Sequence, residues 1–174
     1  MIKRKTDNNP HWFVAYVRSC QEKRVAQALD DLGFVNYLPV VREVHKWSDR
    51  KKVVDRLVIP RVVFIRCLEC ERGMLLKTVP YLCYFLKDHC TDGPAIVRDG
   101  EMETFRSMVS HGTGLSTTDQ PLAPGDRVRV ISGPFVGCEF ELVSVSGKNC
   151  LALRLGALGS ITMEIPAVEL EKIS

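Results

Sequence analysis

A chain of 174 residues with 45% hydrophobic and 26% charged residues is long enough for one large or two small folded domains, and its composition excludes a disordered chain. No apolar run is long enough for a membrane helix. The basic start Met1-Ile2-Lys3-Arg4-Lys5 runs into Thr6-Asp7-Asn8-Asn9-Pro10 rather than an apolar signal segment, so a cytoplasmic protein with no membrane partner is expected. The net charge of +3 hides an asymmetry: residues 1–66 hold 14 Lys/Arg against 7 Asp/Glu, and residues 67–174 hold 10 against 14. A basic first part suggests a surface that meets nucleic acid or an acidic partner.

Residues 1–10 read as a polar tail. Trp12-Phe13-Val14-Ala15-Tyr16-Val17 is a strand with apolar side chains at both parities, so both of its faces must be covered. Ser19 and Glu22 have the S-x-x-E spacing of a capping box, and Val25, Ala28, Leu29 and Leu32 form one apolar stripe. A helix is therefore expected from about Gln21 to Leu32, stopped by a left-handed Gly33. Phe34 to Val41 is extended and interrupted by Pro39. From Arg42 to Arg56 the chain turns basic, with Arg42, Lys46, Arg50, Lys51, Lys52 and Arg56 around Trp47, as in an exposed hairpin or loop.

Val62-Val63-Phe64-Ile65 is a second strong strand. A short helix at 72–77, a strand at 82–86 and a longer helix follow, the last with Asp99 as N-cap and Met102, Phe105, Met108 and Val109 on one face. This order, with antiparallel pairing, predicts an α+β sandwich over residues 11–111. Residues 112–121 carry Gly112, Gly114, Ser116, Thr117 and Thr118 and read as a linker. After Pro121 come short strands at 127–131, 140–145, 151–155, 161–165 and 168–170, with a tight turn at Gly147-Lys148-Asn149. That texture predicts a small SH3-like β-barrel over 122–174.

The chain holds seven cysteines, an odd number without a framework pattern, and they are expected to be reduced thiols. Cys67-Leu68-Glu69-Cys70 has the spacing of a zinc half-site, but a structural site needs four ligands, and Cys90 beside His89 is the nearest further candidate. No nucleophile motif, P-loop, G-x-G-x-x-G or H-E-x-x-H is present, so neither catalysis nor a cofactor is expected.

The segment Gly125-Asp126-Arg127-Val128-Arg129-Val130-Ile131-Ser132-Gly133-Pro134-Phe135-Val136-Gly137 resembles the KOW motif, G-D-x-V-x-V-x-x-G-P-F-x-G. Gly133 and Gly137 flank a turn that must fold back tightly, and Phe135 is expected to plug the end of the barrel. Independently, Trp12-Phe13-Val14, Glu22-Lys23-Arg24-Val25-Ala26, Pro60-Arg61-Val62-Val63-Phe64 and Thr78-Val79-Pro80-Tyr81-Leu82 resemble the N-terminal domain of the NusG family in order and spacing. Within that family, the run Arg56 to Pro60, Pro94-Ala95-Ile96-Val97-Arg98-Asp99 and the ending Leu170-Glu171-Lys172-Ile173 are similar to the UpxY-type antiterminators of capsular polysaccharide operons.

The resemblance implies a transcription elongation and antitermination factor that docks on the clamp helices of RNA polymerase and suppresses pausing. Tyr16, Ile59, Val62 and Phe64 match the family positions of an apolar docking patch, although the family often has Gly or Asn at Arg61 and Tyr at Val62. Arg18, Lys23, Arg24 and Gln27 match the region where specialised members contact the displaced non-template DNA or nascent leader RNA. Lys46, Arg50, Lys51 and Lys52 form a second candidate for phosphate contact. The KOW domain, with Gly125, Asp126, Gly133, Pro134, Phe135 and Gly137, implies recruitment of a ribosomal protein or a termination factor. Two other readings compete: an RNA-binding KOW protein acting in translation, and an inhibitor that competes for the polymerase surface.

Overall fold

The computed structural model describes residues 9–47, 50–88, 93–118, 125–165 and 170–173, and for 44–47, 50–52 and 118 the description is of the backbone alone. In chain order the elements are β1 (His11–Val17), α1 (Glu22–Asp31), β2 (Val35–Tyr37), β3 (Val40–Trp47), β4 (Arg50–Leu57), β5 (Val62–Cys67), α2 (Arg72–Thr78), β6 (Leu82–Phe85), β7 (Ile96–Val97), α3 (Asp99–His111), β8 (Ser116–Thr118), β9 (Asp126–Val130), β10 (Glu139–Val145), β11 (Lys148–Arg154), β12 (Ser160–Glu164) and β13 (Leu170–Lys172). They fall into two compact units: Met1–Leu38 with Ile59–Asp99, and Pro39–Val58 with Gly100–Ser174.

In the first unit an antiparallel sheet runs β2-β5-β1-β6, and β7 also pairs with β1. Strands β1 and β5 align Phe13 with Ile65, Ala15 with Val63 and Tyr16 with Val62. Because strand side chains alternate, Phe13, Ala15 and Val17 share one face with Val63, Ile65 and Cys67. That face is the core, completed by Val25 and Leu29 of α1, Leu75 of α2, Val79, Leu82 and Phe85. The guanidinium of Arg72 lies over the Phe13 ring at 5.0 Å. Trp12, Val14, Val62 and Phe64, on the opposite parity, are also buried, so both faces of β1 are covered as its apolar run requires.

Helix α1 ends where the glycine permits. Gly33 has φ +78° and its N–H donates to the Asp30 carbonyl at 2.9 Å. Val25 and Leu29 are fully buried, but Leu32, expected on the same stripe, is exposed at the helix end. The expected capping box does not form: Gln21 is the N-cap and no side chain caps the helix. Cys20, at φ +62°, turns the chain between Ser19 and the helix, and the Glu22 carboxylate is taken by another partner described below.

In the second unit β3 and β4 form the expected hairpin, with Val44 opposite Val53 and Trp47 opposite Arg50. At its base Arg56 pairs with Glu43 and donates to the Leu115 carbonyl at 3.4 Å. A six-stranded antiparallel sheet runs β13-β9-β10-β11-β12-β8. Its β8 lies inside the segment expected to be a linker, with Ser116 opposite Thr162 on β12. The tight turn is Ser146-Gly147, one residue earlier than expected: both have positive φ (51° and 77°), and Val145 faces Lys148 directly. Two consecutive left-handed residues make the type I′ connection whose twist suits a two-residue hairpin. Met102, Phe105, Met108 and Val109 of α3 are buried, as their spacing requires.

Candidate nucleic-acid and partner interface

Two loops close on the end of β1. Ile59-Pro60-Arg61-Val62 and Val79-Pro80-Tyr81-Leu82 both place a proline before a residue with positive φ, +64° at Arg61 and +66° at Tyr81. Proline presets the first central residue of a type II turn, and the second must then adopt a left-handed conformation that favours glycine. Neither residue is glycine, so each position carries strain that its surroundings must hold. They do so through the backbone: Val17 N–H donates to the Arg61 carbonyl at 2.9 Å, and Arg18 N–H donates to the Tyr81 carbonyl at 3.0 Å. The Arg61 N–H in turn donates to the buried Glu22 carboxylate at 3.1 Å.

Fixing Arg61 in this way fixes what lies above it. Its guanidinium sits 4.9 Å from the centre of the Tyr16 ring, a cation–π contact. Tyr16 is paired across the strands with Tyr84, and the two rings stack at 5.2 Å with an interplanar angle of 11°. Tyr84 is 50% exposed and Tyr81 41%. Arg18, Lys23 and Arg24, exposed around the start of α1, add positive charge near this end of the sheet; Arg24 donates to the Gln21 side chain at 3.2 Å. Gln27 is exposed one turn further on, its amide donating to Asp31 at 3.0 Å.

The expected docking residues divide. Tyr16 and Ile59 are partly exposed, whereas Val62 and Phe64 are 1% and 0% exposed and lie inside. The reason is their strand: β5 sits between β2 and β1, and its apolar side chains are out of water on both faces. Lys46, Arg50, Lys51 and Lys52 stand at the far end of the β3–β4 hairpin, where Lys46 faces Lys51 and Trp47 faces Arg50; their side chains lie outside the described residues. Arg61, Tyr81 and Tyr84, none of them assigned to the site from the sequence, join Tyr16 and Arg18 at this end of the sheet. The repeated Pro-X turn was the signal that marks Arg61 and Tyr81.

In the second unit the KOW-like turn is built as its glycines demand. Gly133 and Gly137 have φ +84° and +83°. A Cβ on Gly125 would meet the Leu142 carbonyl oxygen at 1.9 Å, so this position admits no side chain without backbone movement. Pro134 is exposed while Phe135 beside it is buried, with its ring edge-on to Phe140 at 6.2 Å and to His111 at 6.1 Å. Asp126 pairs with Lys172 at 2.9 Å. Glu139 accepts from both Arg127 and Arg129, at 2.9 and 2.8 Å, and Glu141 accepts from Arg154 at 2.7 Å. The Arg129 and Arg127 guanidiniums hold the Glu139 carboxyl below its ordinary range.

Cys67 closes β5 and is buried, and burial with the nearby Glu71 pushes its thiol up to about 12. A thiol held protonated is neither a ready metal ligand nor a nucleophile. Cys70 is exposed, and among the described residues no group of three or more metal-ligating side chains converges. Cys90 and His89 lie outside the described residues. Among the described residues no helix is long and apolar enough to cross a membrane.

Comparison with known proteins gives the chain's family. The family profile described as transcription termination factor nusG matches residues 10–106. The chain is 25% identical over 186 residues to the transcription termination/antitermination protein NusG of Haemophilus influenzae, covering 99% of this chain and 100% of that one. It is 27% identical over 190 residues to the protein of the same name from Synechocystis, covering 97% and 89%. A solved structure of Thermotoga maritima NusG, reported for its domain interaction, aligns with a TM-score of 0.48 at 18% identity over 95% of this chain and 98% of that one. With more than half of its length matched by the family profile, the chain belongs to the NusG family of transcription termination and antitermination factors.

Proposed function

We propose that this protein rides on transcribing RNA polymerase and suppresses pausing and termination, as a specialised antitermination factor of the UpxY type. Residues 11–111 carry the polymerase-binding surface and 122–174 form an SH3-like KOW domain that recruits a ribosomal protein or a termination factor, with β8 of the intervening 112–121 segment joined to the KOW sheet. Tyr16 and Ile59 supply the accessible part of the docking patch on the clamp helices. Val62 and Phe64 support it from beneath. Arg18, Lys23, Arg24 and Gln27 hold the displaced non-template strand, and the β3–β4 hairpin adds phosphate contacts from Lys46, Arg50, Lys51 and Lys52. Holding the clamp closed shifts the polymerase away from its paused state, and about 1.4 kcal/mol of differential affinity changes that ratio tenfold.

The observations that support this reading are the exposed Arg18, Lys23 and Arg24 around the start of α1 and the Arg61 guanidinium over the Tyr16–Tyr84 stack at the end of β1. In the KOW-like unit Arg127, Arg129, Arg154 and Lys172 are each matched by a carboxylate. Paired charges release few counterions on binding a phosphate backbone, which disfavours an RNA-binding role for the KOW unit in translation.

The test is transcription in vitro through a leader that contains a terminator, with elongation complexes co-sedimented alongside. Wild-type protein raises read-through, and Arg18→Ala with Arg24→Ala lowers it and flattens the salt dependence of binding. Failure to associate with elongating polymerase at low ionic strength sinks the reading. Association accompanied by more termination identifies the competing inhibitor instead, and co-purification with ribosomes alone identifies the translation factor.

A further inference from the structure

We propose that the column Arg61–Tyr16–Tyr84 is a stacking platform for one unpaired nucleobase, which continues the column on the open face of Tyr84. This rests on the nucleic-acid contact proposed above and gives that contact a mode: a base read by its π-face, beside cations that take the backbone. Three observations meet here. The strand order β5-β1-β6 brings Arg61 to Tyr16 from one side and Tyr84 from the other, so Tyr16 is sandwiched and the free aromatic face is that of Tyr84. Half of Tyr84 is open to solvent although the ring packs in parallel on its neighbour. The column is also pre-organised, because the strained turns at Arg61 and Tyr81 are pinned to Val17 and Arg18 by backbone hydrogen bonds.

The chemistry of the site selects its occupant. A lone exposed tyrosine on a sheet would tolerate many partners. A parallel aromatic pair backed by a guanidinium extends naturally to a third flat ring, and every base offers one. Exposed Arg18, two residues beyond Tyr16, and the Arg61 guanidinium in the column itself favour an anionic chain over a neutral peptide. A duplex keeps its bases stacked on one another, so the ligand must be single-stranded where it meets Tyr84.

The experiment uses the full chain and fluorescein-labelled oligodeoxythymidine, with the same strand carrying abasic sites as the second probe. Fluorescence anisotropy should show the abasic strand bound roughly tenfold more weakly by the wild type, the size expected when one base–aromatic stack is lost. Tyr84→Ala should bind the base-bearing strand as weakly as the wild type binds the abasic one, and should no longer distinguish the two. Tyr84→Trp should keep the distinction, which a merely structural role for the ring does not require. Circular dichroism establishes that both variants are folded.

Equal affinity of the wild type for base-bearing and abasic strands overturns the proposal. So does a Tyr84→Ala variant that loses polymerase association while binding both strands like the wild type, since the ring then serves a protein partner. No binding to either strand at low ionic strength overturns both this inference and the nucleic-acid contact it rests on. Intact base discrimination without polymerase association sinks only the elongation-factor reading and leaves the platform standing.

Discussion

The Glu22 carboxylate accepts the backbone N–H of Arg61 across 39 residues of sequence, at 3.1 Å. Glu22 is only 5% exposed, so it spends a buried charge on one main-chain donor in a left-handed turn. Glu22→Ala leaves that donor without its acceptor and should destabilise the first unit by about 2 kcal/mol, the usual scale for a hydrogen bond to a charged group. Glu22→Gln keeps an acceptor oxygen and should lose less. Urea unfolding followed by circular dichroism compares the two, and equal stabilities for Ala and wild type would remove the anchor from the account.

Gly125 and Gly137 answer to different constraints, and substitution separates them. Gly125→Ala drives a Cβ into the Leu142 carbonyl, and overpacking against backbone should cost about 3 kcal/mol. Gly137 has open space around it and only its φ of +83° to lose, so Gly137→Ala should cost about 1 kcal/mol. Unfolding midpoints in urea should fall in that order; the reverse order would mean that the close approach of Gly125 relaxes easily.

The pairing of Glu139 with Arg129 and Arg127 predicts a signature in acid. Its folded-state pKa is lowered, so the contribution is present above the ordinary glutamate range and is lost as pH falls through the depressed value. The stability gap between wild type and Glu139→Gln should therefore be largest near neutral pH and close as acid is added. Because the groups are at the surface, raising the ionic strength at neutral pH should also narrow it. A gap that ignores both pH and salt would assign the effect to packing.

Cys67 should resist alkylation in the folded protein while Cys20, Cys70 and Cys83 react, because burial holds its thiol at about 12. Mass spectrometry after iodoacetamide treatment at neutral pH reads this directly. The raised value also has a linkage consequence: the stability it brings is whole below the ordinary thiol range near 9.0 and is lost as pH rises toward about 12. Labelling of Cys67 at the rate of Cys70 would contradict its burial.

Periodicity made the strands and the buried face of α3 legible, because Met102, Phe105, Met108 and Val109 had no polar alternative on that side. The glycine stop at Gly33 and the glycines of the KOW-like turn were equally readable, since φ restricts them before any packing is known. What local patterning could not supply was competition between partners. Ser19 and Glu22 have the right spacing to cap α1, yet Glu22 is claimed by Arg61, which reaches it only through sheet pairing. Val62 and Phe64 show the same limit: alternation puts both on the face opposite the core cluster, but not whether that face is covered. The Tyr16–Tyr84 stack likewise depends on the register of β1 with β6, a long-range fact.

The β3–β4 hairpin belongs with residues 100–174 although it interrupts the first unit between Leu38 and Ile59. On a ribosome, where chains emerge N-terminus first, the first unit can close once β7 has been made. The hairpin is synthesised earlier still but must wait for residues near Leu115 before Arg56 finds its carbonyl. Birth order and assembly order thus run opposite ways for this segment: the first unit can be complete while the hairpin made before it still lacks its partners.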